Sequence, residues 1–229
     1  MMLSLPYKNK EDRIMKQDLT ELVFILDKSG SMGGLESDTI GGFNAMLKKQ
    51  QDAPGECRIT TALFDNGYSL LHDRVDIRGV SPITAEDYQA GGTTALLDAI
   101  GRTIEKIGNV QKSTAQEYRA GKVMLVIITD GQENASREYS ARQIKALITR
   151  QKEKYGWEFI FLGANIDAVE TADQFGITPD RALDYMADSV GTQLNFQAVG
   201  RVAYSLRETG AVDEAPLEAI RRDYAGRKR

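Results

Sequence analysis

The sequence predicts an α/β fold, in which an open, mainly parallel central sheet carries one antiparallel edge strand and helices on both faces. Four short, unbroken apolar runs rich in β-branched or aromatic residues indicate strands that are buried on both faces. They lie at residues 22–26, 59–64, 123–129 and 157–162. Amphipathic segments separate these runs, and this alternation is typical of a sheet covered by helices on both sides.

Three amphipathic helices are predicted from apolar residues spaced three and four positions apart. The positions are Ile40, Phe43, Met46 and Leu47 in the first helix, Leu97, Ile100, Ile104 and Ile107 in the second, and Ile144, Leu147 and Ile148 in the third. Each helix would lie across one face of the sheet between two strands.

The antiparallel edge strand is predicted at residues 68–77, where polar and apolar residues mix as they do in a half-exposed strand. The turn sequence Asp65-Asn66-Gly67 precedes it and favours a hairpin with the strand at 59–64. Asp65 is therefore interpreted as a turn residue.

Three further elements are predicted after residue 162. Residues 165–177 indicate a short helix that ends near Gly176, residues 181–186 a last strand, and residues 192–207 a closing helix. The chain then divides into a domain at 20–208, an N-terminal arm at 1–19 and a C-terminal tail at 209–229. Five basic residues among the last nine indicate that this tail is solvated.

Composition excludes several classes of partner. The chain has 229 residues, 41% of them apolar and 27% charged, which is enough for one globular domain with its own core. A formal net charge of −4 gives no overall attraction to phosphate backbones or anionic lipid. We therefore expect neither a nucleic acid nor a membrane as the main partner.

Cys57 and His72 are the only residues of their types in the sequence. They exclude an internal disulfide and a zinc site built from cysteine and histidine, so the ligands of any bound metal must be oxygens. The single cysteine fits a reducing compartment. The first residues are charged where a signal peptide would be apolar, and we expect a cytoplasmic protein.

Oxygen-bearing side chains follow two of the predicted strands. Asp27 ends the first strand and is followed by Ser29 and Ser31, and Asp130 ends the strand at 123–129. Ligands of open α/β sheets collect outside the carboxyl ends of the strands, where such residues would meet. Carboxylate and hydroxyl oxygens suit Mg²⁺ or Mn²⁺, and the glycines around Ser29 and Ser31 let the chain turn sharply enough for both to converge.

These residues belong to three motifs that resemble a known family. In order, "DKSGSM", "GGTTALLDAI" and "ITDG" are similar to the motifs of the von Willebrand factor type A domain, over roughly residues 22–162. That domain carries a metal-ion-dependent adhesion site of the pattern Asp-x-Ser-x-Ser, then Thr, then Asp. All three motifs in this order, each in its expected strand or loop, are much more specific than any one of them.

The resemblance implies a metal site made by five residues. Ser29, Ser31 and Thr93 would offer hydroxyls to Mg²⁺ or Mn²⁺, while Asp27 and Asp130 would bind the ion directly or through water. Thr93 is preferred to Thr94 because the threonine of the family directly follows the short glycine turn. Lys28 occupies a variable position of the motif, and its charge would lower the cation affinity.

The resemblance also implies a non-catalytic function. Neutral hydroxyls and two carboxylates leave the cation able to accept one more anionic oxygen. In the family, an Asp or Glu of a partner protein supplies it. We therefore expect a metal-dependent protein-binding module, an adaptor or scaffold rather than an enzyme.

Two enzyme-like alternatives also place an aspartate at the end of a buried parallel strand. A metal-dependent phosphohydrolase of the haloacid dehalogenase type would need a second acid two residues after Asp27, where Ser29 stands. A response-regulator receiver would need a paired acid cluster after the first strand, and none is evident.

Several residues also have a purely structural interpretation. Each hydroxyl of the motif, taken alone, could cap a helix N-terminus. Glu133 and Asn134 lie near the rim of the same face, either as exposed loop residues or as contacts to a partner. His72 and Cys57 are interpreted as structural.

Overall fold

A computed structural model describes residues 16–228, and residues 1–15 and Arg229 lie outside the described part. The strands are β1 (Lys16–Asp27), β2 (Glu56–Phe64), β3 (Tyr68–Asp76), β4 (Ala120–Asp130), β5 (Glu158–Ala164) and β6 (Ala182–Asp184). The helices are α1 (Glu36–Gln51), α2 (Leu96–Ser113), α3 (Ala141–Tyr155), α4 (Ala168–Gln174), α5 (Ser189–Thr209) and α6 (Leu217–Arg227). None of these helices is both long and apolar enough to span a membrane.

The six strands form one sheet in the order β3-β2-β1-β4-β5-β6. β3 pairs antiparallel with β2, and every other pair is parallel. The predicted fold class, including the antiparallel edge strand, is confirmed. Because β1 and β4 are parallel neighbours, with Leu26 opposite Ile128, the residues that follow them emerge side by side at one edge.

The helices bury the two faces of the sheet separately. Leu22, Phe24 and Leu26 of β1 point into a core shared with α1, α5 and α6. Val23 and Ile25 point to the opposite side, into a core shared with α2, α3 and α4. This alternation explains why the central strands are apolar without interruption.

The chain termini differ from the sequence-based prediction. β1 begins at Lys16, so part of the segment assigned to an N-terminal arm belongs to the sheet. Residues 209–229, assigned to a solvated tail, contain α6, which packs against α5 and β6. Leu217 and Ile220, three positions apart, are buried and hold this helix on the core.

Arg207 of α5 anchors that helix to the end of α1. Its guanidinium donates hydrogen bonds to the carbonyls of Gln50, Ala53, Pro54 and Gly55, and only 8% of the residue is exposed. These carbonyls belong to a helix end and the loop after it, where backbone acceptors lack helical partners. The guanidinium therefore satisfies several acceptors at once.

Replacing Arg207 by Met is expected to lower the free energy of unfolding by about 2–4 kcal/mol, because buried carbonyls would lose their donors. Urea denaturation measures the change. Arg201→Met is the matched control, since Arg201 is exposed on the same helix and its replacement should change stability little. Equal stability of the two variants would contradict an anchoring role.

Candidate metal site

Asp27 lies at the carboxyl end of β1, with 1% of the residue exposed. Its Oδ1 accepts a hydrogen bond from the Ser29 amide at 2.7 Å. Its Oδ2 accepts from the Thr129 hydroxyl at 2.6 Å and from the Asp130 amide at 3.3 Å. These bonds fix the carboxylate and tie the end of β1 to the end of β4.

Ser29 and Ser31 bring two hydroxyls together after β1. Their Oγ atoms are 3.0 Å apart, across the start of a 3₁₀ turn formed by Gly30–Met32. The Gly30 amide donates to the carbonyl of Gly92 at 3.0 Å, and the Gly91 amide donates to that of Lys28 at 2.8 Å. The serine loop is therefore bound directly to the glycine loop that precedes α2.

The structure separates the two threonines of the glycine loop. Thr93, the predicted ligand, is exposed, whereas Thr94 is 4% exposed. A Cβ placed on Gly131 would lie 3.2 Å from the Oγ of Ser31 and 3.8 Å from the Oγ1 of Thr94. The hydroxyls of Ser31 and Thr94 therefore both lie beside Gly131, and this placement and the burial of Thr94 favour Thr94 over the predicted Thr93.

The backbone around Thr94 explains this selection. Its amide donates to the Asn134 side chain at 2.9 Å, and its carbonyl accepts from the Asn134 amide at 3.0 Å. Gly92, with a φ of 77°, directly precedes Thr93, which is exposed. Thr93 was predicted because it directly follows the glycines. Its position in the sequence does not show which of the two threonines is buried.

Asp130 ends β4 and is 2% exposed. Burial raises the pKa of its carboxyl, and the nearby Asp27 carboxylate raises it further, while a hydrogen bond from Asn165 acts in the opposite direction. The two carboxylates are thus close enough to repel each other. A divalent cation held by these residues would offset this repulsion.

Two buried tyrosines support the backbone beneath these carboxylates. Tyr88 donates its hydroxyl to the carbonyl of Asp27, and Tyr185 donates to the carbonyl of Thr129 at 3.3 Å. Burial raises the pKa of both phenols, which keeps them protonated as donors. Sequence reasoning missed both residues, since a tyrosine outside a periodic segment carries no signal of such a contact.

Lys28 forms a salt bridge with Asp65, which joins the serine loop to the β2–β3 turn. Asp65 also accepts a hydrogen bond from the Gly67 amide at 2.6 Å, which confirms its turn role. The ammonium of Lys28 is thereby paired with a carboxylate. Its expected effect on cation affinity is correspondingly reduced.

Glu133 makes internal hydrogen bonds. Its carboxylate accepts from the amides of Leu97, Ala135 and Ser136 at 2.7–2.9 Å. Together with the two bonds between Asn134 and Thr94, these contacts fasten the loop after β4 to the start of α2. Glu133 and Asn134 therefore fix the loop that follows Asp130 beside Thr94.

Cys57 and His72 have structural surroundings. Burial raises the pKa of the Cys57 thiol to about 12, so the reactive thiolate is disfavoured. The His72 Nδ1 lies 3.0 Å from the Thr61 hydroxyl, and its ring stacks on Phe43. Neither residue takes part in the convergence described above.

The donor set fits a hard divalent cation. Asp27 and Asp130 end neighbouring strands, and the Ser29, Ser31 and Thr94 hydroxyls lie in the loops beside them. Such oxygens are the ligands that Mg²⁺ and Mn²⁺ prefer. Between residues 16 and 228, no group of three or more His, Cys, Asp or Glu side chains is arranged to hold a metal. A cation site in this part of the chain would therefore depend on hydroxyls.

Comparisons of sequence find no matching protein-family model and no matching curated protein. Solved structures do match. A von Willebrand factor type A protein from Catenulispora acidiphila superposes with a TM-score of 0.57 at 13% identity, covering 82% of this chain and 43% of the other. The manganese-loaded TRAP protein of Plasmodium vivax superposes with a TM-score of 0.56 at 16% identity, covering 80% of this chain and 74% of the other.

Proximal thread matrix protein 1 of the mussel byssus, with a zinc-occupied adhesion-site motif, gives a TM-score of 0.52 at 13% identity, covering 83% and 47%. The chain thus spans about half the length of several of the structures it matches. Identities this low establish the architecture alone. The sheet order, the single antiparallel edge strand and these superpositions agree: the chain has the von Willebrand factor type A fold.

Proposed function

We propose that the chain is a non-catalytic binding module that holds Mg²⁺ or Mn²⁺ and uses it to bind an Asp or Glu side chain of a partner protein. The ligand set is Asp27, Ser29, Ser31, Thr94 and Asp130, with Thr94 in place of Thr93. One observation carries this proposal. The hydroxyls of Ser31 and Thr94 both lie beside Gly131, and the buried Asp27 and Asp130 end the neighbouring strands β1 and β4.

The charge balance of this set explains why a partner would be bound. Two carboxylates and neutral hydroxyls leave a divalent cation with unused capacity for an anionic oxygen. Gly131, with a φ of 148°, keeps the space between Ser31 and Thr94 free of a side chain. The protein residues hold and orient the ion, and the ion supplies the attraction for a carboxylate.

Two structural relatives support a divalent cation at this position. One is the manganese-loaded TRAP protein, and the other is the mussel protein whose adhesion-site motif holds zinc. We extend the cation, and with it the partner carboxylate, to this chain because its own donors converge. The cytoplasm remains our proposal for its location, based on the single buried cysteine.

A phosphohydrolase has less support from the same residues. The hydroxyl of Ser29, which occupies the position where that chemistry needs an acid, contacts Ser31. A proton donor to a leaving group is therefore missing at that position.

Capture of partners from native lysate tests the proposal with a matched pair of variants. We expect the protein to retain a set of partners in Mg²⁺ and to release it in chelator. Thr94→Ala should lose the same set, because it removes an inward hydroxyl, while Thr93→Ala should keep it, because that side chain is exposed.

Partners that stay bound in chelator and to Thr94→Ala alike would rule out a metal-dependent module. Loss in Thr93→Ala instead of Thr94→Ala would restore the ligand assignment made from the sequence.

A further inference from the structure

Asn165 is the first residue after β5, and its side chain reaches the metal-site carboxylate of the neighbouring strand. The amide Nδ2 of Asn165 donates a hydrogen bond to the Oδ1 of Asp130. The register places this contact, since Asp130 pairs with Ala164 and Asn165 follows directly. The amide thereby uses one of the two carboxylate oxygens of Asp130.

The backbone of Asn165 is unusual. Its φ of 56° lies in the left-handed region, where glycine is most comfortable and asparagine is tolerated better than most residues. A glycine would satisfy the turn at lower conformational cost, so the turn alone does not require a side chain. The amide contact with Asp130 gives the side chain a role that glycine would lack.

Contacts at Gly163 fix the backbone of the turn that contains Asn165. The carbonyl of Gly163 accepts a hydrogen bond from the Tyr185 amide at 3.1 Å. A Cβ on Gly163 would come within 2.7 Å of the Ile166 side chain, so the chain folds back tightly after β5. Asn165 is therefore presented to Asp130 by a fixed backbone.

We propose that Asn165 is a positioning residue of the metal site, which orients the Asp130 carboxylate for the cation by occupying one of its oxygens. This inference rests on the proposed function. Groups that hydrogen-bond to metal ligands hold them in the binding orientation, and their removal typically costs 10–100-fold in metal affinity.

Asn165→Gly is the decisive variant, because glycine adopts the local φ without strain and lacks only the amide. We expect its dissociation constant for Mn²⁺ to rise about 10–100-fold, measured by electron paramagnetic resonance of the free aquo ion. The melting temperature of the metal-free protein should change little. A merely structural role would instead lower that temperature and leave Mn²⁺ affinity unchanged.

Asn165→His supplies the rescue, since histidine tolerates positive φ and keeps an N–H donor. Asn165 borders an open groove of about 620 Å³, which leaves room for the larger ring. We expect the Asn165→His protein to bind Mn²⁺ more tightly than the Asn165→Gly protein. Gln132→Ala, an exposed neighbour lining the same groove, should bind like the parent chain.

The outcomes separate this inference from the proposed function. If the parent chain binds Mn²⁺ and Asn165→Gly binds it equally well, the positioning role fails and the metal site stands. The positioning role also fails if the Asn165→His protein binds Mn²⁺ no more tightly than the Asn165→Gly protein. If the parent chain binds no Mn²⁺, the metal site itself fails and the positioning role with it.

Discussion

Arg74→Gly is expected to lower the free energy of unfolding by about 3–5 kcal/mol, because it leaves a buried carboxylate without its ion-pair partner. Glu21 lies in the central strand and is fully buried. The Arg74 guanidinium binds it with two hydrogen bonds of 2.7 and 2.9 Å, and Gln111 donates a third at 2.9 Å. Arg74 has a φ of 52°, so glycine fits the backbone there without strain, and the lost ion pair outweighs the small entropic cost of glycine.

Urea denaturation of the single and double variants tests this account. In Glu21→Gln with Arg74→Gly, the buried charge is gone as well, and most of the lost stability should return. Lys48→Ala breaks an exposed ion pair with Asp52 and should have little effect. A double variant as unstable as Arg74→Gly would show that the unpaired charge is not the cause.

Asp130→Asn is expected to weaken Mn²⁺ binding by at least about two orders of magnitude. A unit charge about 4 Å away contributes roughly 4 kcal/mol at an effective dielectric constant near 20, and a divalent ion feels more. The metal-free protein should keep or gain stability, because burial and Asp27 raise the pKa of this carboxyl and so disfavour its charged form. Asparagine keeps an oxygen to accept the Asn165 amide.

Thermal unfolding with and without Mn²⁺ measures both effects. The parent chain should melt at a higher temperature when the ion is present, as expected for a ligand that binds only the folded state. Asp130→Asn should lose this rise. Asp167→Asn changes the same charge on the loop after β5, keeps the helix cap made by that residue, and should retain the rise. A full rise in Asp130→Asn would exclude Asp130 from the site.

The sequence predicted the sheet and the placement of the two carboxylates at the ends of its strands, because both follow from local patterns. Apolar runs mark strands buried on both faces, and an acid at the end of such a strand must emerge at the carboxyl edge. Asp27 and Asp130 are brought together by the pairing of β1 with β4. The sequence did not predict which parallel strands are neighbours, and the structure supplies this pairing.

Features that depend on loop geometry or register were not predictable in the same way. Thr93 and Thr94 are chemically identical neighbours, and the selection between them depends on the turn at Gly92 and on the bonds to Asn134. The contact of Asn165 requires knowing that Asp130 pairs with Ala164.

α6 escaped detection because Leu217 and Ile220 are its only buried residues among many charged ones. A short helix of this kind resembles a solvated tail in sequence.

We propose that hydroxyls and two carboxylates at the edge of the sheet hold one divalent cation. The most direct test is a titration of the full chain with Mn²⁺, in which electron paramagnetic resonance measures the concentration of the free ion. We expect one site per chain that is weakened in Ser29→Ala, Ser31→Ala and Thr94→Ala and is unchanged in Thr93→Ala. No binding by the parent chain, or equal binding by all four variants, would contradict it.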